Sequence, residues 1–263
     1  AMPLLWLIPL GLYLLSFVVA FSDRQDLAWA IRLAAPLTVL GAGGLAMVSR
    51  GSSSMVLVLA SVILLFVVAV ALHARMYELR PHASRLTLFY LVMSIGGALG
   101  GVFTALIAPA LFDWVWEHPL LVLLAAAIMP LPSAYDWRRL PGLEPGMARI
   151  GAAVLLLVAA FLCWHLIDIA ALEKPGAPRL WLTLGVALCG LALVPWRGLF
   201  VAVLLLLMLA QGGLETIGKT IDHARIRSYF GIYTVRDHPA LRLRTLAHGT
   251  TLHGQQSLDP ARR

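Results

Sequence analysis

Charge is what this chain has least of: Asp, Glu, Lys and Arg make up 13% of its 263 residues, against about 25% in an ordinary soluble domain. The shortage is uneven, because residues 55–72 carry no charged side chain at all. A helix in water needs a polar face, and such a segment has none. Cysteine is almost as scarce. Cys163 and Cys189 each sit inside an apolar run, with no Cys-x-x-Cys spacing, which argues against a disulfide framework or a zinc site. Two buried thiols acting as small apolar side chains fit better. No Gly-x-Ser-x-Gly or His-Glu-x-x-His motif is found and no phosphate loop is read, so no complete active site is expected, and no cofactor.

What is present is apolar surface. Hydrophobic residues reach 60% and the mean hydropathy is +0.87. Bilayer is the solvent in which such segments are stable. The apolar runs are 3–21, 27–48, 53–72, 86–112, 119–132, 148–169, 180–194 and 198–212. A full span needs roughly 17–25 residues, so the fifth, seventh and eighth runs are short. Pro195-Trp196-Arg197 separates the last two, either as a tight turn between two spans or as a kink in one. The expected fold is an all-α polytopic membrane bundle of seven or eight spans with a short C-terminal β-hairpin tail. Residues 1–213 form the transmembrane domain, and 214–263 form a basic interfacial helix and hairpin.

Orientation follows from basic residues in the connections. Arg24, then Arg75, Arg80 and Arg85, then Arg138, Arg139 and Arg149 fall in the first, third and fifth connections. The second, fourth and sixth hold only Arg50, Lys174 and Arg179. The odd-numbered connections are therefore expected on the cytoplasmic side of a bacterial inner membrane. A seven-span count puts the tail there too, in keeping with its basic character. The net charge of +7 is explained by this bias, and no nucleic-acid partner is expected.

Three groups of residues stand out. Gly96/Gly100 and Gly97/Gly101 form two overlapping small-xxx-small pairs, a helix face without side chains against which a neighbouring helix can pack. His165 and Asp168 lie three apart, hence on one helical face. Ionisable groups at membrane depth tend to point inward in pairs, so these two form a candidate intramembrane polar site. Asp113, Glu117 and His118 flank Trp114 and Trp116, an interfacial belt with no fourth metal ligand. His248 and His253 have no supporting ligands either, and no metal site is expected.

In the tail, residues 225–235 are rich in aromatic and β-branched side chains. Asp237-His238-Pro239 offers turn chemistry, and 241–246 alternates Leu241, Leu243 and Thr245 with Arg242 and Arg244. The expectation is one hairpin, 225–235 paired with 241–246, which is marginal unless covered by further structure.

Several stretches carry a resemblance. Residues 86–103 (Leu-Thr-Leu-Phe-Tyr-Leu-Val-Met-Ser-Ile-Gly-Gly-Ala-Leu-Gly-Gly-Val-Phe) and 108–119 (Ala-Pro-Ala-Leu-Phe-Asp-Trp-Val-Trp-Glu-His-Pro) resemble the membrane portion of bacterial membrane-bound spermidine-synthase-like proteins. Residues 3–16 are similar as well. Residues 227–235 and 247–260 (Ala-His-Gly-Thr-Thr-Leu-His-Gly-Gln-Gln-Ser-Leu-Asp-Pro) resemble the junction where that family's soluble domain begins. The resemblance implies a membrane anchor leading into a Rossmann-type, aminopropyltransferase-like domain whose catalytic segments lie beyond Arg263 or in a partner chain. No catalytic residue is carried over. Two other readings remain open. One is a small transporter or permease-like bundle for a cationic or amphiphilic solute. The other is an accessory subunit of a membrane complex, or a homo-oligomer, docked through the glycine face.

Overall fold

The structure is a computed structural model, and it describes residues 7–48, 55–171, 177–249 and 251–259. It is mostly helical, with a small antiparallel sheet at the C-terminal end. Among the described residues five helices are long and apolar enough to cross a bilayer: Gln25–Leu45, Met55–Glu78, Ala83–Leu111, Pro145–Ile169 and Arg197–Ile221. Three shorter apolar helices, Leu7–Phe21, Glu117–Ile128 and Pro178–Ala192, accompany them. The chain divides into two compact units, Ala1–Arg80 with Pro119–Gly213, and Pro81–His118 with Leu214–Arg263.

The first unit contains α1 (Leu7–Phe21), α2 (Gln25–Gly41), α3 (Met55–Glu78), most of α6 (Glu117–Ile128), α7 (Pro145–Ala171), α8 (Ala177–Ala192) and α9 (Arg197–Met208). Alanines set how closely α1, α2 and α3 approach: Val19, Ala20, Ala28, Val70 and Ala74 form one buried cluster, with Phe21, Ile31 and Phe66 against it. Small side chains let helix backbones close up where lipid supplies no hydrophobic drive for association. Larger residues fill the other side of the unit, where Leu40, Met129, Leu166, Phe200, Leu204 and Leu207 are fully buried.

The break at Pro195 is a tight turn rather than a kink. A Cβ built on Gly190 of α8 would meet Val203 of α9 at 3.2 Å. Arg179, near the start of α8, donates to Gln211 beyond the end of α9 at 2.6 Å. Both contacts require α8 and α9 to run antiparallel as a helical hairpin. Trp137 ties the turn down by donating from Nε1 to the carbonyl of Ala192 at 2.6 Å. After α9, Gln211 also donates to Thr183 Oγ1 at 3.0 Å, so its buried amide is satisfied at both ends.

The second unit contains α4 (Leu86–Val102), α5 (Ala108–Leu111), α10 (Leu214–Ile221) and the sheet. A π turn at Phe103–Ile107 joins α4 to α5. Pro109 is its cause: proline has no N–H to donate, and its ring collides with the carbonyl four residues back, inside that turn. Helix α4 is exposed on all sides, with Leu88, Leu91, Val92, Ile95 and Leu99 outward.

The tail holds more β-structure than one hairpin. Strands β1 (Arg225–Ser228), β2 (Gly231–His238), β3 (Leu243–His248) and β4 (Thr251–Ser257) form a four-stranded meander in the order β1-β2-β3-β4. The run expected as one strand, 225–235, folds back on itself at Tyr229-Phe230, with Ser228 opposite Gly231. Gly231 has φ +141°, a conformation that favours glycine. The expected pairing of 225–235 with 241–246 holds for the second half of the first run, with Val235 opposite Leu246. Its turn lies further on than expected. Asp237 and His238 are still in β2, opposite Arg244 and Leu243, and the reversal occurs over Pro239–Leu241 with Arg242 left-handed.

Candidate functional site

The strongest polar constellation outside the apolar helices lies in the second unit, where the 112–118 connection receives the start of the sheet. Strand β1 is short, and alternation puts Arg225 and Arg227 on one face of it. That face meets Asp113, Trp114 and Glu117. Arg227 grips Glu117 with both ends of its guanidinium, Nη1 to Oε2 at 2.8 Å and Nη2 to Oε1 at 2.7 Å. Nη1 also donates to the carbonyl of Trp114 at 2.8 Å. The side chains of this pair are only 11% and 13% exposed. Such a two-pronged pair is among the stronger polar contacts a protein makes.

Arg225 is buried more deeply. Its Nη2 lies 3.2 Å from Asp113 Oδ2 and donates to the carbonyl of Thr216 at 2.7 Å and to Thr220 Oγ1 at 2.8 Å. Thr220 Oγ1 in turn lies 2.9 Å from Asp113 Oδ2, and Trp116 Nε1 donates to Asp113 Oδ1 at 2.9 Å. The Arg225 guanidinium sits 5.7 Å from the Trp114 ring centre. Burial pushes its pKa below the usual arginine value, with the charge of Asp113 opposing. The hydrogen bonds to Glu117 push Arg227 the other way, upward. The arrangement is a clamp: two cations on one strand, two carboxylates on one connection, and α10 bridging them through Thr216 and Thr220. Sequence reasoning took Asp113 and Glu117 for belt residues or weak metal ligands. The two arginines spaced i, i+2 on a strand were the signal that pointed elsewhere.

The other residues singled out from the sequence lie outside this clamp. Gly96, Gly97, Gly100 and Gly101 line α4, and a Cβ built on any of them meets no atom within 4 Å. Tightly packed glycines lie elsewhere, among them Gly43, Gly44 and Gly190, against Val122, Leu207 and Leu40. Within the chain, Gly97→Leu is therefore expected to shift stability by less than about 0.5 kcal/mol, the range of an unconstrained surface change. Gly190→Leu should cost about 1–3 kcal/mol by overpacking. Thermal unfolding of both variants in detergent checks this, and a loss at Gly97 equal to that at Gly190 would contradict it.

His165 and Asp168 face outward from α7, and no hydrogen bond joins them; His165 sits edge-on to Phe161, with ring centres 4.6 Å apart. The buried stripe of α7 runs through Ala159, Cys163 and Leu166. Two residues beyond a buried position is about 200° around a helix, which carries 165 and 168 to the opposite face. Cys163 and Cys189 are free and buried. His248 stacks on Tyr233 with ring centres 4.5 Å apart and lies 5.5 Å from the His253 ring. Among the described residues no group of three or more His, Cys, Asp or Glu side chains is placed to hold a metal.

One pattern missed in the sequence reading is Gly213-x-x-x-x-Gly218-Lys219-Thr220, the spacing of a phosphate loop. A phosphate loop follows a strand and keeps its amides free for the ligand. Here Leu214–Ile221 is helical, Lys219 pairs with Glu215 at 2.5 Å and Thr220 is held by Asp113. The match is one of spacing only.

Compared with family models, curated proteins and solved structures, the chain gives no match.

Proposed function

We propose that the chain is a membrane anchor whose C-terminal sheet is the first layer of a soluble domain, of the spermidine-synthase-like kind that the sequence resembles. The observation that carries the reading is a sheet clamped on one face and bare on the other. Arg225 and Arg227 use one face of β1. On the other, Ile226, Val235 and Leu246 are exposed, with Val235 opposite Leu246, and the β1–β2 tip presents Phe230 at 87% exposure. Apolar side chains laid out this way need a cover, which a following or partner domain would supply. Replacing Ile226 and Val235 together by Lys, in the chain produced with its complete coding region, tests this. Loss of the soluble domain's attachment or protease resistance is expected, and unchanged resistance would overturn the reading.

We also infer an eight-pass path, made of the five long helices and the three short ones, with the Arg-rich odd connections in the cytoplasm. Two independent features agree on the tail. The α8–α9 hairpin adds a pass, which puts the tail on the side of the even-numbered connections. The Arg225–Asp113 and Arg227–Glu117 pairs join it to the fourth connection, on that same side. The tail is thus periplasmic in a bacterial inner membrane, contrary to the expectation from its basic composition. Single cysteines at Ser84, Ser133 and Thr251 test the path in intact cells. An impermeant thiol reagent is expected to label Thr251→Cys alone, and labelling at Ser84→Cys or Ser133→Cys would refute it.

The bare glycine face of α4 favours a second reading, an accessory subunit that meets another helix there.

A further inference from the structure

At the end of the first unit that holds the α8–α9 turn, a pocket of about 260 Å³ is lined by Leu131, Pro132, Ser133, Val194, Pro195 and four charged residues, Asp136, Arg138, Arg139 and Arg197. Its walls are built, not incidental. Arg197 Nη1 donates to the carbonyls of Ala127 and Met129, at 2.5 and 2.9 Å, closing the end of α6. Arg138 grips Asp136 through Nε at 2.7 Å and Nη2 at 3.0 Å. Arg138 also lies 5.3 Å from the Trp196 ring centre. Trp137 and Trp196 pack edge to face, 5.2 Å apart, and Tyr135 donates to the carbonyl of Leu33 at 2.9 Å, fixing the connection to α2. The lining therefore holds three cations and one carboxylate. Asp136 is engaged by Arg138 and by Arg139 Nε at 3.1 Å, and the Arg139 side chain remains 74% exposed.

We propose that this pocket binds the phosphate of an anionic phospholipid headgroup. Two net positive charges around a concave polar site select an anion. The Trp137–Trp196 pair marks the depth of the membrane interface, where aromatic rings settle. Under the orientation inferred above, on which the lipid source rests, the pocket opens at the cytoplasmic leaflet, where basic pockets between helices take up acidic headgroups. The guanidinium edge of Arg139 that faces solvent is the flexible donor, and Arg138 and Arg197 are held in advance. A phosphate diester accepts from guanidinium in the two-pronged manner that lysine cannot reproduce.

The test uses the full chain purified in neutral detergent, with thermal unfolding and native mass spectrometry as readouts. Phosphatidylglycerol is expected to raise the unfolding temperature and to remain bound in the mass spectrum, where phosphatidylcholine does neither. Arg139→Ala should weaken phosphatidylglycerol binding about fivefold, the worth of one basic residue near an acidic lipid surface. Arg139→Lys should recover only part of that loss. Asp136→Asn, which removes the competing carboxylate, should tighten binding. This opposite sign separates ligand binding from general damage to the fold. Equal stabilisation by phosphatidylcholine, or an Arg139→Ala protein that binds phosphatidylglycerol as well as the parent, would overturn the proposal. Inorganic phosphate that matches the shift at millimolar concentration and displaces phosphatidylglycerol would overturn the lipid as ligand and assign the pocket to a free phosphate.

Discussion

Removing the carboxylate of Glu117 should release the β-sheet from the 112–118 connection while leaving the apolar helices folded. Glu117→Gln keeps the shape of the side chain but takes away the charge that Arg227 holds through two hydrogen bonds. Arg227 would then remain largely enclosed without a counter-charge, and breaking a buried pair from one side costs about 3–5 kcal/mol. Both partners keep a little solvent access, so about 3 kcal/mol is the expected size. Hydrogen exchange is the natural readout, because the loss is local. Amides of β1 and β2 should exchange on the order of a hundred times faster, by the usual conversion of free energy to rate, with α3 unchanged. The exchanged pair Glu117→Arg with Arg227→Glu should restore part of the protection. If β1 exchanges at the parent rate in Glu117→Gln, the clamp does not hold the sheet.

The second large effect belongs to Gly212, at the π turn that follows α9. Its φ is +143°, a region nearly closed to residues with a side chain. A Cβ there would also meet the carbonyl oxygen of Met47 at 2.8 Å and Val48 Cα at 3.4 Å. Backbone strain of about 1–3 kcal/mol and overpacking of a similar size act together, because neither neighbour is a side-chain tip able to swing aside. Gly212→Ala should therefore cost about 2–5 kcal/mol, seen as a large drop in unfolding temperature in detergent. Gly198→Ala, whose Cβ would meet nothing within 4 Å, should be neutral to slightly stabilising, since alanine favours helix over glycine. Equal behaviour of the two variants would mean that the Gly212 conformation relaxes freely.

The apolar runs were legible because hydropathy is additive and local: each run from 3–21 to 198–212 corresponds to a helix over its described residues. The turn at Pro195 was not, since one proline serves a kink and a reversal equally well. Only the contacts of Gly190 and Arg179 across the hairpin distinguish them. The sheet was half legible. Alternation revealed β3, but aromatic and β-branched residues run unbroken through the Tyr229-Phe230 turn and conceal it. Strand β4, with Gly254, Gln255 and Gln256 in its centre, has little β-propensity and forms because β3 offers it a free edge. For the glycine stripe, spacing reports which residues share a face, not what lies against that face. For the clamp, Asp113 and Glu117 were visible as residues. Their partners lie more than 100 positions away, and no local pattern links such distant carboxylates and arginines.

The α8–α9 hairpin has a consequence for the lipid around it. Helix α8 has 16 residues, or about 24 Å at the rise of an α-helix, against a hydrocarbon thickness near 30 Å, whereas α9 runs on through the π turn to Gly213. Trp181, exposed near the first end of α8, and Trp196, at the turn, are anchors set at most about 22 Å apart along the axis. Hydrophobic mismatch of this sign draws the two leaflets toward each other, and the deformation costs fractions of a kcal/mol for each ångström. Shorter acyl chains should thus gather beside the hairpin, and the protein should partition toward the thinner regions of a mixed membrane.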